Sequence, residues 1–214
     1  MILTKAPFAN AAIGKDAQIL KDIHAPAVNI AVYKRELDMP KTVLDQVVEQ
    51  TINCRVSGIE AEVTEALKSY FAAELPGQQG LLADVLELVS LFGQVAEISS
   101  FRLLLATVET NMCRRFHTDI NSLRMLCTYV GPGTLWLPNE AVNQKAYRGG
   151  NGNDDIVLDE NLIQQANTGD VVILKGALYP DANPIVHRSP TIENIGGKRL
   201  LLRIDSNETQ NLWG

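Results

Sequence analysis

The chain has 214 residues, and its 19 basic against 25 acidic side chains give a formal net charge of −6. Apolar residues make up 46% of the chain and charged residues 21%, proportions that exclude an intrinsically disordered protein. The acidic balance argues against nucleic acid as a partner, because phosphate binding draws its affinity from clustered Lys and Arg side chains.

Residues 1–98 are predicted to form a mainly helical support layer. Three segments repeat apolar residues at helical spacing, and Pro40 suits the first turn of the first one. The repeated positions are Val43, Val47 and Val48; then Val63, Leu67, Tyr70 and Phe71; then Leu82, Val85, Leu86 and Val89. Pro76-Gly77 ends the second helix, and the third ends near Gly93. We interpret the stripes as faces packed on a core.

Residues 99–208 are predicted to form a β-barrel core that carries the functional site. Five short runs are rich in β-branched or large apolar residues and are separated by glycine-containing turns. They are FRLLLATVET, LRMLCTYV, DVVILKG, NPIVHRS and KRLLLRID. Many short strands after a helical layer favour an α+β fold, with a jelly roll or double-stranded β-helix covered on one face by helices. We expect residues 1–214 to form a single domain.

His117, Asp119 and His187 are the candidate metal ligands. In an extended segment the side chains of residues i and i+2 point to the same face, so His117 and Asp119 can reach one ion. His187 lies in another predicted strand and can supply a third ligand. Two histidines and one carboxylate on one face of a metal form the non-heme Fe(II) arrangement. An HxD pair alone is weak evidence for a metal site, because two buried histidines that are hydrogen-bonded to Asp119 and to the backbone produce the same pattern.

The last predicted strand, KRLLLRID, places charged residues where a strand is buried. Arg199, Arg203 and Asp205 share one face with Leu201, whereas the other face is apolar. A buried arginine needs an anion or a carboxylate partner. Arg199 or Arg203 can therefore bind a dicarboxylate cosubstrate beside the metal, or pair structurally, as Arg203 would with Asp205. Both interpretations stay open at this point.

In this order, the segments CRRFHTD, LRMLCTYVGPGTLW, GDVVILKG, VHRSP and RLLL resemble a bacterial domain family of unknown function. The HxD pair, the later histidine and the arginine strand resemble the 2-oxoglutarate/Fe(II)-dependent dioxygenases, which have a cupin-like barrel. The resemblance implies that His117, Asp119 and His187 bind Fe(II). It makes Arg199 the first and Arg203 the second candidate for the 2-oxoglutarate carboxylate, and Arg124 a further candidate if its side of the strand faces the cavity. It also implies zinc as an alternative metal.

Three cysteines without a CxxC pair favour a reducing compartment, and the N-terminal residues lack a secretory signal pattern. We therefore expect a cytoplasmic protein. The most apolar stretch, residues 80–98, carries Asp84 and Glu87 and falls short of a membrane span, so no membrane contact is expected.

Cys113 shares strand parity with His117 and can approach the metal, but core packing is the favoured interpretation for both Cys113 and Cys127.

Three functions follow from these patterns. The leading one is an Fe(II)/2-oxoglutarate-dependent oxygenase that hydroxylates an unidentified small-molecule or protein substrate. The second is a zinc-binding, cupin-like protein in metal handling without oxygenase activity. The third is a barrel that only binds a partner. The sequence gives no indication of the oligomeric state.

Overall fold

The computed structural model describes residues 8–181, 183–193 and 197–206, in which a large sheet carries helices on one face and a small sheet on the other. The strands of the large sheet are β1 (Ala11–Gly14), β2 (Ile30–Tyr33), β3 (Asn53–Ile59), β4 (Ser100–Val108), β5 (Leu123–Val130), β8 (Val171–Lys175) and β10 (Arg199–Ser206). Their order across the sheet is β1-β2-β8-β5-β10-β4-β3, and all neighbours are antiparallel except the pair β1 and β2.

The three predicted helices are confirmed, and they pack on one face of the large sheet. They are α1 (Lys41–Val48), α2 (Glu60–Glu74) and α3 (Gln79–Ala96). The apolar stripes of the helices pack against one face of β4, β5 and β10, because every second side chain of a strand points to the helical layer. The side chains of β10 that point to this layer are Leu200, Leu202 and Ile204. Arg199, Arg203 and Asp205 therefore share the opposite face, as the sequence predicts.

The prediction of a mainly helical layer over residues 1–98 is incomplete. This part of the chain also forms β1, β2 and β3, and a 3₁₀ helix covers Ala17–His24. The run NCRVSGI of β3 alternates between buried and exposed side chains, the period of a half-buried edge strand. The strand pattern in AAIG and IAVY is only four residues long, which is too short for periodicity to separate it from a loop.

The small sheet lies against the opposite face of the large sheet. It consists of β6 (Leu135–Trp136), β7 (Gln164–Gln165) and β9 (His187–Arg188), in the order β7-β6-β9. Trp136 and Ile185 are buried against Leu104, Leu126 and Leu201 of the large sheet. Two short helices, α4 (Gln144–Arg148) and α5 (Asn153–Ile156), follow β6. The α+β fold is thus observed, whereas closure of the two sheets into a barrel stays a prediction.

A largely buried polar cluster connects the helical layer to the large sheet through hydrogen bonds. The guanidinium of Arg35 donates two hydrogen bonds to the carboxylate of Asp84 on α3, at 2.6 and 2.8 Å, and one to the carbonyl of Gly169 at 3.0 Å. The hydroxyl of Tyr129 on β5 donates to the same carboxylate at 2.6 Å. Burial raises the pKa of Tyr129 well above its usual value. The carboxylate of Asp84 therefore joins α3 to β5 and to the loop that follows β2.

One helix among the described residues, α3, matches a membrane span by length and hydropathy alone. Six of its residues are buried against the sheet and the other helices: Leu81, Val85, Leu88, Val89, Phe92 and Val95. A stripe of this kind is the pattern of a core helix.

Candidate metal centre

His117 and His187 are brought together by the backbone. They form an isolated antiparallel bridge in which the N–H of each residue donates to the carbonyl oxygen of the other, both at 2.9 Å. The two imidazole rings lie side by side, with their centroids 4.6 Å apart. Asp119 follows two residues after His117, and its carbonyl oxygen accepts a hydrogen bond from Ala177 at 2.8 Å. The HxD segment is therefore held between two neighbouring segments.

The three predicted ligands form one cluster. One potential ligand atom from each of His117, Asp119 and His187 lies within 4.8 Å of the other two. Nε2 of His187 is 3.3 Å from Oδ2 of Asp119, and Nε2 of His117 is 3.7 Å from Oδ1. No other group of metal-ligating side chains occurs among the residues that the structure describes. The structure thus brings the three predicted residues together, and metal binding by them stays a prediction.

Hydrogen bonds orient both imidazoles for metal binding. Nδ1 of His117 lies 2.9 Å from the carbonyl oxygen of Arg115, and Nδ1 of His187 lies 3.2 Å from that of Ile185. A carbonyl oxygen only accepts, so both rings carry their proton on Nδ1. The lone pair of Nε2 is then free for a metal, the arrangement that such carbonyl contacts commonly impose on ligand histidines.

Asp119 supplies a buried negative charge. Its side chain is 9% exposed, and Oδ2 has no hydrogen-bond partner among the described residues. Burial works to raise the pKa of Asp119, but contacts with His187, Arg124 and His117 lower it to about 2. Burial and the neighbouring His187 lower the pKa of His117. An ionised carboxylate with an unsatisfied oxygen beside two imidazoles is a donor set that fits a divalent transition metal.

Arg124 on β5 holds this carboxylate in place. Its Nη1 lies 2.5 Å from Oδ1 of Asp119, and its Nε donates to Oδ1 of Asp205 on β10 at 2.5 Å. Asn121 donates to the same oxygen of Asp205 at 3.1 Å. Pairing with Asp205 and Asp119 raises the pKa of Arg124 although burial opposes its charge. The link from Asp205 through Arg124 to Asp119 was not predicted, because pairing across strands depends on register.

We expect the substitution Arg124→Gln to weaken metal binding by about 10- to 100-fold, the usual effect of removing a residue that orients a metal ligand. The affinity for Fe(II) or zinc is measured by competition with a chelating indicator. The exposed Arg148→Gln is the matched control. An Arg124→Gln protein that stays folded and binds metal as tightly as the parent would rule out this positioning role.

Arg199 is the first residue of β10 and lies in the wall of the same cavity as both histidines. The residue is 1% exposed, and its only hydrogen bond among the described residues is donated to Oγ1 of Thr128 at 3.2 Å. No described carboxylate lies within ion-pair distance, and Nε has no partner. Burial lowers the pKa of Arg199 to about 10. The site thus contains a buried cation without a counter-ion.

Gly131 allows β5 and β10 to come together at Arg199. Its φ is +83°, and a Cβ at this position would lie 2.6 Å from the carbonyl oxygen of Lys198 and 2.9 Å from Cγ of Arg199. Glycine is therefore required both by the left-handed backbone and by the close approach. Next to this turn the register between β5 and β10 shifts at Leu200 and Leu201, an irregularity often found beside functional sites.

The remaining predicted residues have separate positions. Nε of Arg203 lies 3.2 Å from Oδ2 of Asp205, the structural pair that the sequence allowed, and the side chain also lines the metal cavity. Cys127 is buried on the helical side, as predicted. The prediction of core packing is wrong for Cys113, which is exposed and lines the cavity, because it lies in a loop and not in a strand.

In fold, the chain is similar to a dioxygenase solved in complex with 2-oxoglutarate. One solved structure is the dioxygenase for auxin oxidation 1 from Arabidopsis thaliana, AtDAO1, in its 2-oxoglutarate complex, with 9% identity, a TM-score of 0.50 and 91% of each chain covered. A Pseudomonas putida prolyl-4-hydroxylase matches at 13% identity and a TM-score of 0.38, covering 88% of this chain and 96% of that one. A full-length Neurospora crassa protein in complex with alpha-KG matches at 12% identity and a TM-score of 0.40, covering 89% and 78%.

The sequence itself defines the family. The chain belongs to the family DUF1826, described as a protein of unknown function, whose model matches residues 14–205. The resemblance to a family of unknown function that the sequence motifs indicated is confirmed. No curated protein matches the chain in sequence.

Proposed function

We propose that this protein is an Fe(II)- and 2-oxoglutarate-dependent oxygenase that hydroxylates a small-molecule or protein substrate. One observation carries the proposal: a two-histidine, one-carboxylate cluster shares a cavity with Arg199, a buried cation that has no carboxylate partner among the described residues. The 2-oxoglutarate complex of AtDAO1, which has a similar fold, supports the same choice of cosubstrate.

His117, Asp119 and His187 would hold the metal, and their arrangement leaves coordination positions open for the cosubstrate and O2. Bound iron would supply the activation of O2, coupled to oxidative decarboxylation of 2-oxoglutarate and hydroxylation of the substrate. Arg124 keeps the carboxylate of Asp119 ionised and oriented. The burial of these groups strengthens their charge interactions, because little water screens them.

Arg199 and Thr128 would bind the distal carboxylate of 2-oxoglutarate. The guanidinium offers two parallel N–H groups for a bidentate contact, and the hydroxyl of Thr128, 3.2 Å from Nη2, lies beside it as a further donor. The cavity has a volume of about 60 Å³, and Met112, which is 45% exposed, is one of its lining residues.

The proposal is tested with the parent protein and Arg199→Gln, each loaded with Fe(II) under anaerobic conditions. We expect the parent to give a metal-to-2-oxoglutarate charge-transfer band and, with O2, to form succinate. Arg199→Gln should bind 2-oxoglutarate about 10- to 100-fold more weakly, since hydrogen bonds to charged groups contribute about 1.5–3 kcal/mol. Metal affinity should be unchanged. Absence of 2-oxoglutarate binding by the folded, iron-loaded parent contradicts the oxygenase.

A zinc-binding role without oxygenase activity is the second candidate. It is favoured by one observation, the exposed thiol of Cys113 in the wall of the same cavity, because a thiolate and imidazoles suit zinc. In the assay above, a protein that retains zinc tightly and forms no succinate supports this role over the oxygenase.

A further inference from the structure

Three arginines project from the same face of the large sheet as the metal site. Arg55 on β3 and Arg203 on β10 both pair with Leu104 of β4, which lies between them. Arg102 precedes Leu104 by two residues and therefore has the same orientation. Directly paired residues share one side of a sheet, so the three side chains form one group. We call Arg55, Arg102 and Arg203 the arginine strip.

The arginine strip has little compensating negative charge. Its only ion pair among the described residues joins Arg203 to Asp205, at 3.2 Å. The carboxylate of Asp205 is already shared, since Arg124 and Asn121 both donate to it, and Nε of Arg203 makes no hydrogen bond. Among the described residues, the side chain of Arg55 donates only to the amide oxygen of Asn53. In a chain with a net charge of −6, this face carries a local excess of positive charge.

The arginine strip leads from solvent to the metal site. Arg55 and Arg102 are exposed, whereas the side chain of Arg203 is 32% exposed and lines the cavity together with His117 and His187. Burial and the neighbouring charge of Arg124 lower the pKa of Arg203, whereas Asp205 raises it. A series of ion pairs connects Arg203 to Asp119. Arg203 pairs with Asp205, which pairs with Arg124, and Arg124 in turn pairs with Asp119.

We infer that the arginine strip binds an anionic group of the substrate, a carboxylate or a phosphate, and so presents the substrate to the metal. This inference rests on the proposed function, in which Arg199 binds 2-oxoglutarate and Arg203 does not. Guanidinium groups bind both anions through paired N–H donors, and several of them outside a catalytic cavity raise the local concentration of a negatively charged substrate. A neutral substrate would leave Arg203 with only its share of the Asp205 carboxylate.

The test uses three probes of similar shape: benzoate, phenyl phosphate and the neutral benzamide. Each is titrated by NMR against the parent, Arg203→Gln, Arg55→Gln, Arg199→Gln and the exposed control Arg148→Gln. We expect both anions, but not benzamide, to bind the parent and Arg148→Gln equally. Arg203→Gln should bind them about tenfold more weakly, from the loss of a charged hydrogen bond. The stronger of the two anions identifies the substrate group.

Arg55→Gln keeps the test valid if Arg203→Gln disturbs the fold through Asp205. Arg55 is exposed and has no described ion pair, and its variant should weaken anion binding in the same direction. Anion binding that is lost in Arg199→Gln and kept in Arg203→Gln and Arg55→Gln would overturn the inference, as would equal binding of benzamide. If the parent binds anions at the arginine strip but forms no succinate, the proposed oxygenase activity is contradicted, whereas the anion-binding site is not.

Discussion

Asp119→Ala should lower the affinity of the protein for Fe(II) and zinc by more than about 100-fold, because removal of a ligand exceeds the 10- to 100-fold effect of losing a residue that orients one. The carboxylate is the only anionic ligand in the described cluster, and its buried Oδ2 faces His187 at 3.3 Å. Without it, the remaining imidazoles have no negative charge to balance a divalent ion.

The measurement is the metal content after dialysis against a weak chelator, together with a competition titration. The exposed Asp154→Ala is the matched control, since it also removes one negative charge. The fold should survive in Asp119→Ala, because Asp205 still pairs with Arg124. Unchanged metal affinity would place the metal elsewhere in the chain and contradict the site.

Asp84→Ala should destabilise the protein by about 3 kcal/mol or more, the effect of removing one partner of a buried ion pair. The side chains of Arg35 and Asp84 are 12% and 15% exposed. The substitution leaves the guanidinium of Arg35 without its carboxylate and the hydroxyl of Tyr129 without its acceptor. The free energy of unfolding is measured by urea denaturation.

A double variant separates the charge effect from a loss of packing. Arg35→Met combined with Asp84→Leu removes both charges, and buried pairs replaced by apolar residues are often tolerated. It should therefore be more stable than Asp84→Ala alone. The exposed Glu87→Ala on the same helix should stay within roughly 0.5 kcal/mol of the parent. If Asp84→Ala is as stable as Glu87→Ala, the cluster of Arg35, Asp84 and Tyr129 contributes nothing to the free energy of unfolding.

The cluster of candidate metal ligands was predictable because its signal in the sequence is local. The spacing of His117 and Asp119 places both side chains on one face of an extended segment, and only three histidines occur in the chain. The helices were predictable for a similar reason, since an apolar stripe such as that of α3 repeats over 18 residues. Both signals lie within one short stretch of sequence.

Other features depend on pairing between distant segments. The contact of Arg124 with Asp119 and Asp205 follows from the register of β5 and β10, which strand periodicity does not specify. The arginine strip was missed for the same reason, because Arg55 lies in a segment that was not recognised as a strand. The exposure of Cys113 reflects a loop, and strand parity carries no information about loops.

The bridge between His117 and His187 has a thermodynamic consequence. The two residues are separated by 187 − 117 = 70 positions, and they meet through two backbone hydrogen bonds. In the unfolded chain, bringing them together costs the entropy of closing that long loop. A metal held by these residues would therefore bind the folded chain far more tightly than the unfolded one, and its binding energy would add to the free energy of folding. Under the proposed function, metal supply would then set both the activity and the fraction of chains that stay folded.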